Sequence, residues 1–560
     1  MRKSMFTHFS QEEKEVQYPK DRKLYIRPKP IVFVIIGIAL LVTFGVAWVQ
    51  YLINGLPRDP SAALLSATEA SVKGFPLWLI FCHWINFFFL MILIRSGLSI
   101  LFDHPRLYFN DGSRPGTEWL KFTPVEVPKD ELWTAKDDAR YISPLLGLPG
   151  YRHTVGIARG WHFIHVPFFV LNGVIFVVLL FFTNQWLRLV PTSWQIIPDA
   201  WNVFVHYATF NMPIEPNGFY HYNALQQLAY FGVIFILAPT AMLSGMSMSP
   251  AIESRFHWLP KLFGNRQGAR SVHFLVMLSY AVFAIIHISM VAATGLVRNM
   301  NHITLGTDNP SSYTGLFIVI GILLFTVTFF VFAHWVSWRR PRWVQRTSAF
   351  INGNLWHFTI NKLKPKPYYK KEDISPFFWP NGKLPTSEDW KNLAKNQFKD
   401  YKLKVAGLVE NPVELSLEEL MNLGKEQNIT MHHCIQGWSG VAEWGGLPLK
   451  AIVDLVKPHP TATTVVFYSF GEGLYGGVYY DTHTLDNCLK PGSILAWEMN
   501  YEPLSVVYGA PLRLRVENQL GYKMVKWIES IEFVETPKMV GKGYGGKNED
   551  DEFFDLLANT

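Results

Sequence analysis

The sequence predicts a membrane all-α six-helix bundle followed by a soluble mixed α+β domain. Three observations lead there. Six apolar stretches are each long enough to cross about 30 Å of hydrocarbon as a helix. The composition turns to that of an ordinary soluble domain after residue 360. Short strand signals separated by turn residues then recur between residues 400 and 535. With 560 residues the chain has room for several domains. We expect a polar N-terminal tail over 1–30, a six-span membrane domain over 31–340, a linker over 341–385, a soluble domain over 386–540 and a tail over 541–560 that is flexible or serves as a docking arm.

The expected spans are Ile31 to Ile53, Pro76 to Phe102, His162 to Phe182, Leu225 to Ser247, Ser271 to Gly295 and Tyr313 to Trp335. Ala200 to Phe210 is too short and mixed to cross and is expected at the membrane interface. The net charge of +7 does not point to nucleic acid, because the basic residues fall in loops flanking the spans, where membrane lipid is the partner. Three cysteines, Cys82, Cys434 and Cys488, exclude a disulfide scaffold and any four-cysteine zinc or iron–sulfur site built from this chain.

Orientation follows from Lys and Arg in the loops. Residues 1–30, 103–160 and 248–270 carry twenty, against four in 54–75, 183–224 and 296–312. The N-terminus is therefore expected inside the cell membrane, and six crossings return the soluble domain to the cytoplasm. The polar first 30 residues have no short apolar segment with a small-residue cleavage site, so no signal peptide is expected. The segment from Lys362 to Pro385, with Pro365, Pro367, Pro376, Pro380 and Pro385, reads as an extended linker.

Ionisable residues inside spans are functional candidates by default. His273 and His287 lie fourteen residues apart. That is about 21 Å of helix, and fourteen steps of about 100° return to nearly the same face. One helix thus offers an imidazole near each membrane surface, suited to two haems. Depth then pairs His83 with His287 at the outer face and His162 with His273 at the inner face. His165, one turn deeper than His162, is the alternative inner ligand. Bis-imidazole ligation leaves no open site on iron and suits electron transfer. His206, His221 and His302 read as interfacial, and His334 as interfacial or lining a quinone site. On His83-Trp84, Arg159 before His162, Gln226-Gln227-Leu228-Ala229-Tyr230-Phe231-Gly232, and Arg270 before His273 with His287 fourteen on, the region 76–340 resembles the di-haem cytochrome b subunits of hydrogenases and related dehydrogenases. The first span is an addition to that core. The resemblance implies two b-type haems and exchange with the quinone/quinol pool.

The soluble region carries strand signals at Thr464 to Tyr468, Gly477 to Tyr480, Ser493 to Trp497 and Leu512 to Val516. A short helix is predicted at Ser416 to Leu423, capped by Ser416 with Glu419 three residues on. The stretch His432-His433-Cys434-Ile435-Gln436-Gly437-Trp438-Ser439 is followed by Gly509-Ala510-Pro511-Leu512-Arg513 and Gly521-Tyr522-Lys523-Met524-Val525-Lys526-Trp527. A cysteine early and cations late resemble the molybdopterin-binding domain of the sulfite oxidase family. The resemblance implies that Cys434 ligates molybdenum. It implies that Arg513, Lys526 and the backbone of Met524 and Val525 hold the pterin phosphate, and that Ser469 and Asn381 also touch the cofactor. A soft thiolate and fixed guanidinium cations suit those tasks. Zinc at His432-His433-Cys434 is not expected, since neighbours on a strand point to opposite faces.

Sulfite oxidases place an asparagine and arginines soon after the cysteine to hold an anion; here Ile435-Gln436-Gly437-Trp438 follows. The pattern is more similar to the molybdenum subunit of periplasmic methionine sulfoxide reductases, with Trp438 and Trp444 shaping a less anionic pocket. The candidate catalytic residues are Cys434, Gln436 and Trp438. The expected function is two-electron oxo-transfer on a small-molecule substrate, coupled to quinone through two b haems. The alternatives are a quinol-driven reductase of sulfoxide-like substrates and a non-catalytic membrane transporter or sensor.

Overall fold

The computed structural model describes residues 27–28, 30–58, 74–128, 132–140, 142, 146–147, 154–212, 218–360, 362–363, 368–556 and 558. The polar tail lies almost wholly outside them. Six helices are long and apolar enough to cross a membrane: Pro30–Asn54, Leu77–Leu101, Val155–Phe182, Ala224–Ser247, Arg266–Ala293 and Thr314–Arg339. They expose Leu41, Phe182, Ile285 and Phe317, side chains that are stable at such a surface only against lipid. The chain is a multi-pass membrane protein. The third span starts seven residues before the predicted His162, because Thr154 caps it by accepting from the Ile157 N–H at 3.2 Å. His162 therefore sits two turns inside that helix. The fourth span contains a π-helical stretch over Gly232–Leu237.

The first span is anchored at both ends. Strand β1 (Arg27–Pro28), just before it, pairs with β3 (Leu120–Lys121), which also pairs with β2 (Arg106–Leu107). Its far end meets Ile196–Ala208 at the other surface, where the Trp201 indole donates to Gln50 at 2.8 Å. Both ends of the bundle thus lie on the side of the soluble domain. Residues 103–140 are not a plain connecting loop. They fold around the buried Arg106, which bonds both Asp138 oxygens at 2.7 and 3.0 Å, Glu118 at 2.7 Å and the Val125 carbonyl at 2.6 Å. A guanidinium buried this far is stable only with its donors met.

The expected linker over 341–385 is corrected at both ends. Pro341–Thr359 is an amphipathic helix. Arg340 breaks the sixth span, and Pro341 can open a helix but not continue one. Val344 and Ser348 of this helix pack on Gly160 of the third span, while Trp343, Phe350 and Phe358 are exposed. Phe378 and Trp379 are buried in the soluble domain, so that domain begins near Ser375.

The soluble domain holds two five-stranded sheets. One sheet runs β5 (Val413–Ser416), β4 (Lys402–Gly407), β13 (Ile528–Val534), β8 (Thr464–Glu472) and β9 (Val478–Thr484). Only its β4–β13 pair is parallel. The other runs β11 (Glu502–Pro503), β10 (Ile494–Met499), β7 (Ser439–Pro448) and β6 (Glu426–His433), with β12 (Arg513–Arg515) also on β10. Leu403, Val405, Phe467, Leu495, Leu514, Ile531 and Phe533 fill the core. The helix Leu417–Asn422 forms as predicted, with both halves of the Ser416/Glu419 capping box made.

The tail from 541 is folded rather than flexible over its described residues. It carries a helix at Lys547–Asp551. The buried Lys523 ammonium pairs with Asp481 and Glu549, and Arg342 donates to the Glu549 and Asp550 carbonyls. Phe553 and Phe554 lie against Gly156 at the start of the third span.

Candidate functional site

The site begins where β6 ends. Cys434 N–H donates to the Trp438 carbonyl at 3.1 Å, and Gly437 N–H donates to the Cys434 carbonyl at 3.1 Å. This tight loop needs Gly437 at φ +112°, a conformation that favours glycine. His432 and His433 leave the strand on opposite faces. His432 Nδ1 accepts from Arg515 at 2.9 Å, and His433 Nε2 stands 3.6 Å from Glu253. Burial and the neighbouring Arg515 and Arg513 hold His432 well below the usual imidazole range, so it is neutral.

Cys434 is 3% exposed, and burial pushes its thiol up to about 12. Gln436 contacts its sulfur at 3.7 Å, and the Asn381 amide approaches it at 3.8 Å. The Gln436 amide also donates to the carbonyls of Asp103 at 3.3 Å and Ala135 at 3.4 Å. Trp438 stacks at a tilt on His432 and edge-on to Phe378, and its indole N–H has no partner among the described residues. Trp133 and Ala135, from the segment between the second and third spans, share one buried cluster with Cys434, Trp438 and Trp444. That segment thus covers the cysteine loop, which its sequence gave no reason to expect.

The predicted cations come together. Gly509, at φ +121°, separates Arg513 from Lys526: a methyl there would lie 3.2 Å from the Arg513 Cβ and 3.0 Å from the Lys526 Cβ. Arg513 is 4% exposed and lies 4.8 Å over the Trp444 ring. It donates to the Tyr508 carbonyl at 3.0 Å, while its Nε is unpartnered and it has no ion pair among the described residues. Burial and the adjacent Arg515 lower it to about 9. A buried guanidinium with an idle donor and no carboxylate within ion-pair distance among the described residues can seat an anion, with Glu517 acting on it only at longer range. Arg515, absent from the expected set, is instead paired with Glu517 and braces His432. Lys526 Nζ donates to the Val507 carbonyl at 2.8 Å. Ser469 is committed to the main chain: its hydroxyl donates to the Lys526 carbonyl at 2.7 Å and accepts from Gly471 N–H at 2.9 Å. Met524 and Val525 are buried beside these groups.

In the membrane the structure brings His83 next to His287, and His162 next to His273, as electrostatic neighbours. The second pair has an unforeseen symmetry. His162 Nδ1 lies 2.9 Å from the Ser96 hydroxyl, and His273 Nδ1 lies 3.0 Å from the Ser244 hydroxyl. Each serine already donates its one hydrogen to a carbonyl of its own helix, Ile92 at 2.8 Å and Thr240 at 2.6 Å. With its hydrogen on that carbonyl, each hydroxyl accepts from the histidine. In that arrangement the proton is on Nδ1 and Nε2 keeps a lone pair, the form that binds a metal. Gly97 and Gly245 follow the two serines, and a Cβ at either would touch the imidazole, at 3.7 and 3.4 Å. The repeated Ser-Gly dipeptide was the one available sequence signal. In the first pair, Tyr230 stands 3.5 Å from His287 Nδ1, and His83 Nδ1 is buried without a partner among the described residues. His165 donates from Nδ1 to its own Trp161 carbonyl at 2.7 Å and packs on Phe89 and Phe329.

Comparison with known proteins agrees with this geometry. Residues 74–306 match the family model described as prokaryotic cytochrome b561, and residues 391–540 match the oxidoreductase molybdopterin binding domain. The protein-methionine-sulfoxide reductase catalytic subunit MsrP of Campylobacter jejuni is 30% identical over 166 residues, 27% of this chain and 56% of that protein. MsrP of Xanthomonas campestris is 34% identical over 145 residues, 24% of this chain and 45% of that protein. The putative protein-methionine-sulfoxide reductase subunit YedZ1 of Azospira oryzae is 30% identical over 131 residues, 23% of this chain and 48% of that protein. The chain spans about half the length of the curated relatives it matches. The chain thus joins a membrane region that matches the cytochrome b561 model to a soluble region that matches the molybdopterin-binding oxidoreductase domain, the domain type of the sulfite oxidase family.

Proposed function

We propose that this protein is a membrane-bound molybdenum enzyme that exchanges an oxygen atom and two electrons with a small substrate and couples the electrons to the quinone pool through two b haems. The observation that carries this reading is the buried Arg513 with its idle donor, set beside Lys526 in the same domain as the buried Cys434. In this reading Cys434 holds the molybdenum. Arg513, Lys526 and the backbone of Met524 and Val525 hold the pterin phosphate, with Asn381 and Ser469 nearby. The bound cofactor supplies the oxo-transfer chemistry. Gln436 and Trp438 border the reacting position, one as a polar wall and the other as an apolar one. His162 with His273, and His83 with His287, are the haem ligands. The relatives' names favour the reductive direction, in which quinol drives reduction of a sulfoxide-like compound.

The test is optical. Protein reduced with dithionite, freed of excess reductant and mixed with a sulfoxide should lose its reduced haem bands stoichiometrically. Oxidised protein that gains those bands on adding an oxidisable substrate, and ignores sulfoxides, reverses the direction. A preparation supplied with haem and molybdenum that responds to neither class of compound returns the transporter or sensor reading to the front.

The Ser96 and Ser244 contacts give a finer prediction. Loss of the acceptor makes the imidazole a weaker donor to ferric iron, so the midpoint potential of the haem between His162 and His273 should rise. One hydrogen bond corresponds to a rise on the order of tens of millivolts. Redox titration of Ser96→Ala and Ser244→Ala should show this for one haem, with total haem unchanged. Equal potentials in wild type and both variants reject the assignment.

The loop charges support a cytoplasmic soluble domain in this reading. The native cysteines are buried, so single exposed cysteines can report the topology. In intact cells a membrane-impermeant thiol reagent should label Thr192→Cys and spare Lys490→Cys; the opposite pattern puts the soluble domain outside.

A further inference from the structure

The Cys434 loop does more than close a strand pair. Ile435 is buried in one cluster with Val155, at the start of the third span, and with Tyr522 and Phe554. The Gly437 carbonyl accepts from Arg266 at 3.1 Å and from Gln267 at 3.3 Å, at the start of the fifth span. Gln267 also donates to the Ser439 hydroxyl at 3.0 Å. Arg270 presses on the same glycine, its Nε 3.2 Å from where a Cβ would stand, and is itself held by the carbonyls of His104 and Arg106. His162 follows Val155 by seven residues, and His273 follows Arg266 by seven. Seven residues are nearly two turns, about 10.5 Å along the axis and almost the same face. The loop therefore sits on the ends of the two helices that carry one histidine pair, in line with that pair.

We infer that this seat is the electron bridge of the protein: Gly437, gripped by Arg266, Gln267 and Arg270, couples the soluble site to the His162–His273 site, and the His83–His287 site exchanges electrons with the soluble site only through that pair. The inference rests on the proposed function. Reduction of a sulfoxide consumes two electrons and two protons and yields a thioether and water. A quinol supplies both electrons, becoming a quinone and releasing two protons. The electrons cross the Gly437 contact singly, since bis-histidine haem sites carry one each. Fixed hydrogen bonds from two side chains keep the gap constant between transfers, which a mobile linker between separate domains does not.

Gln267→Leu removes one donor to Gly437 and the double variant Arg266→Met/Gln267→Leu removes both, leaving Cys434, Arg513, Lys526 and the four histidines in place. Hydrogen–deuterium exchange of the peptide spanning residues 434–440, measured on the haem-loaded protein lacking molybdenum, should rise in the double variant. In the fully loaded protein, oxidation of the reduced haem by a sulfoxide should slow at least about tenfold, while sulfoxide turnover with a soluble viologen donor and both haem potentials stay at wild-type values. A tenfold loss corresponds to about 1.4 kcal/mol of coupling. Unchanged exchange overturns the grip. Raised exchange with an unchanged haem oxidation rate overturns the bridge. A wild-type protein without viologen-linked turnover fails at the proposed function instead, and the variants then carry no blame for it.

Discussion

Cys434→Ser is expected to abolish substrate turnover and to leave the haem spectrum untouched. The thiol lies at the turn between β6 and β7, with Gln436 and Asn381 at its sulfur and Trp438 beside it. A serine fits the space, so the fold of the loop survives. Serine oxygen is a hard and weakly acidic donor where a soft thiolate is wanted. Loss of partners that merely orient a metal ligand costs about 10–100-fold, and loss of the ligand itself should exceed that. The four membrane histidines belong to helices whose packing does not include this sulfur, so Soret and α bands should match wild type. The measurements are viologen-linked turnover, molybdenum content and the molybdenum paramagnetic signal. A variant with wild-type turnover and an unchanged signal removes Cys434 from the metal. Arg513→Ala should act upstream, lowering cofactor content itself: the guanidinium is buried with an idle Nε, and alanine leaves the phosphate without its buried partner.

What the sequence showed of this molecule divides by range. The spans were legible because about twenty apolar residues in a row have one physical meaning. The His273–His287 spacing was legible because it is a property of one helix. The capping box at Ser416 was legible because three residues suffice to make it. The features that escaped are held by partners far apart in the chain. Residues 103–140 look like a charged loop until Arg106 finds Asp138 and the Trp379 indole finds the Ser113 carbonyl at 2.8 Å. The acidic tail looks solvated until Lys523 and Arg342 meet it. The helix Pro341–Thr359 was hidden because its arginines read as the stop after a span. The seat of the Cys434 loop depends on Arg266, which the sequence showed only as one of the loop cations, and on Gln267, which carried no signal. Local chemistry thus named the candidate residues, while the placement of one candidate site over the other was set by tertiary contacts.

His273→Ala and His287→Ala should each remove a different haem. The two residues share one helix, yet their neighbours differ: Ser244 and His162 for the first, Tyr230 and His83 for the second. With these histidines as the proposed haem ligands, an alanine would delete one of the two residues holding a haem and leave an apolar gap that a b-type haem, bound by its ligands and packing alone, would not survive. Each variant should therefore keep roughly half of the wild-type haem by pyridine haemochrome assay, since bis-histidine sites lose their iron with either ligand. The kinetic consequences are unequal. With His287 gone, the remaining haem should still be oxidised by a sulfoxide at the wild-type rate, but quinol should no longer reduce it. With His273 gone, quinol should still reduce the remaining haem, and the sulfoxide should fail to oxidise it. His165→Ala is the control that separates the two candidates on the third span. Its ring is tied to the Trp161 carbonyl of its own helix and packed against Phe89 and Phe329, away from the serine-held pair. Both haems should remain in that variant, at some cost in packing. Loss of a haem in His165→Ala, with His162→Ala retaining both, would transfer the ligand role one turn along the helix and take the Ser96 contact out of the redox centre.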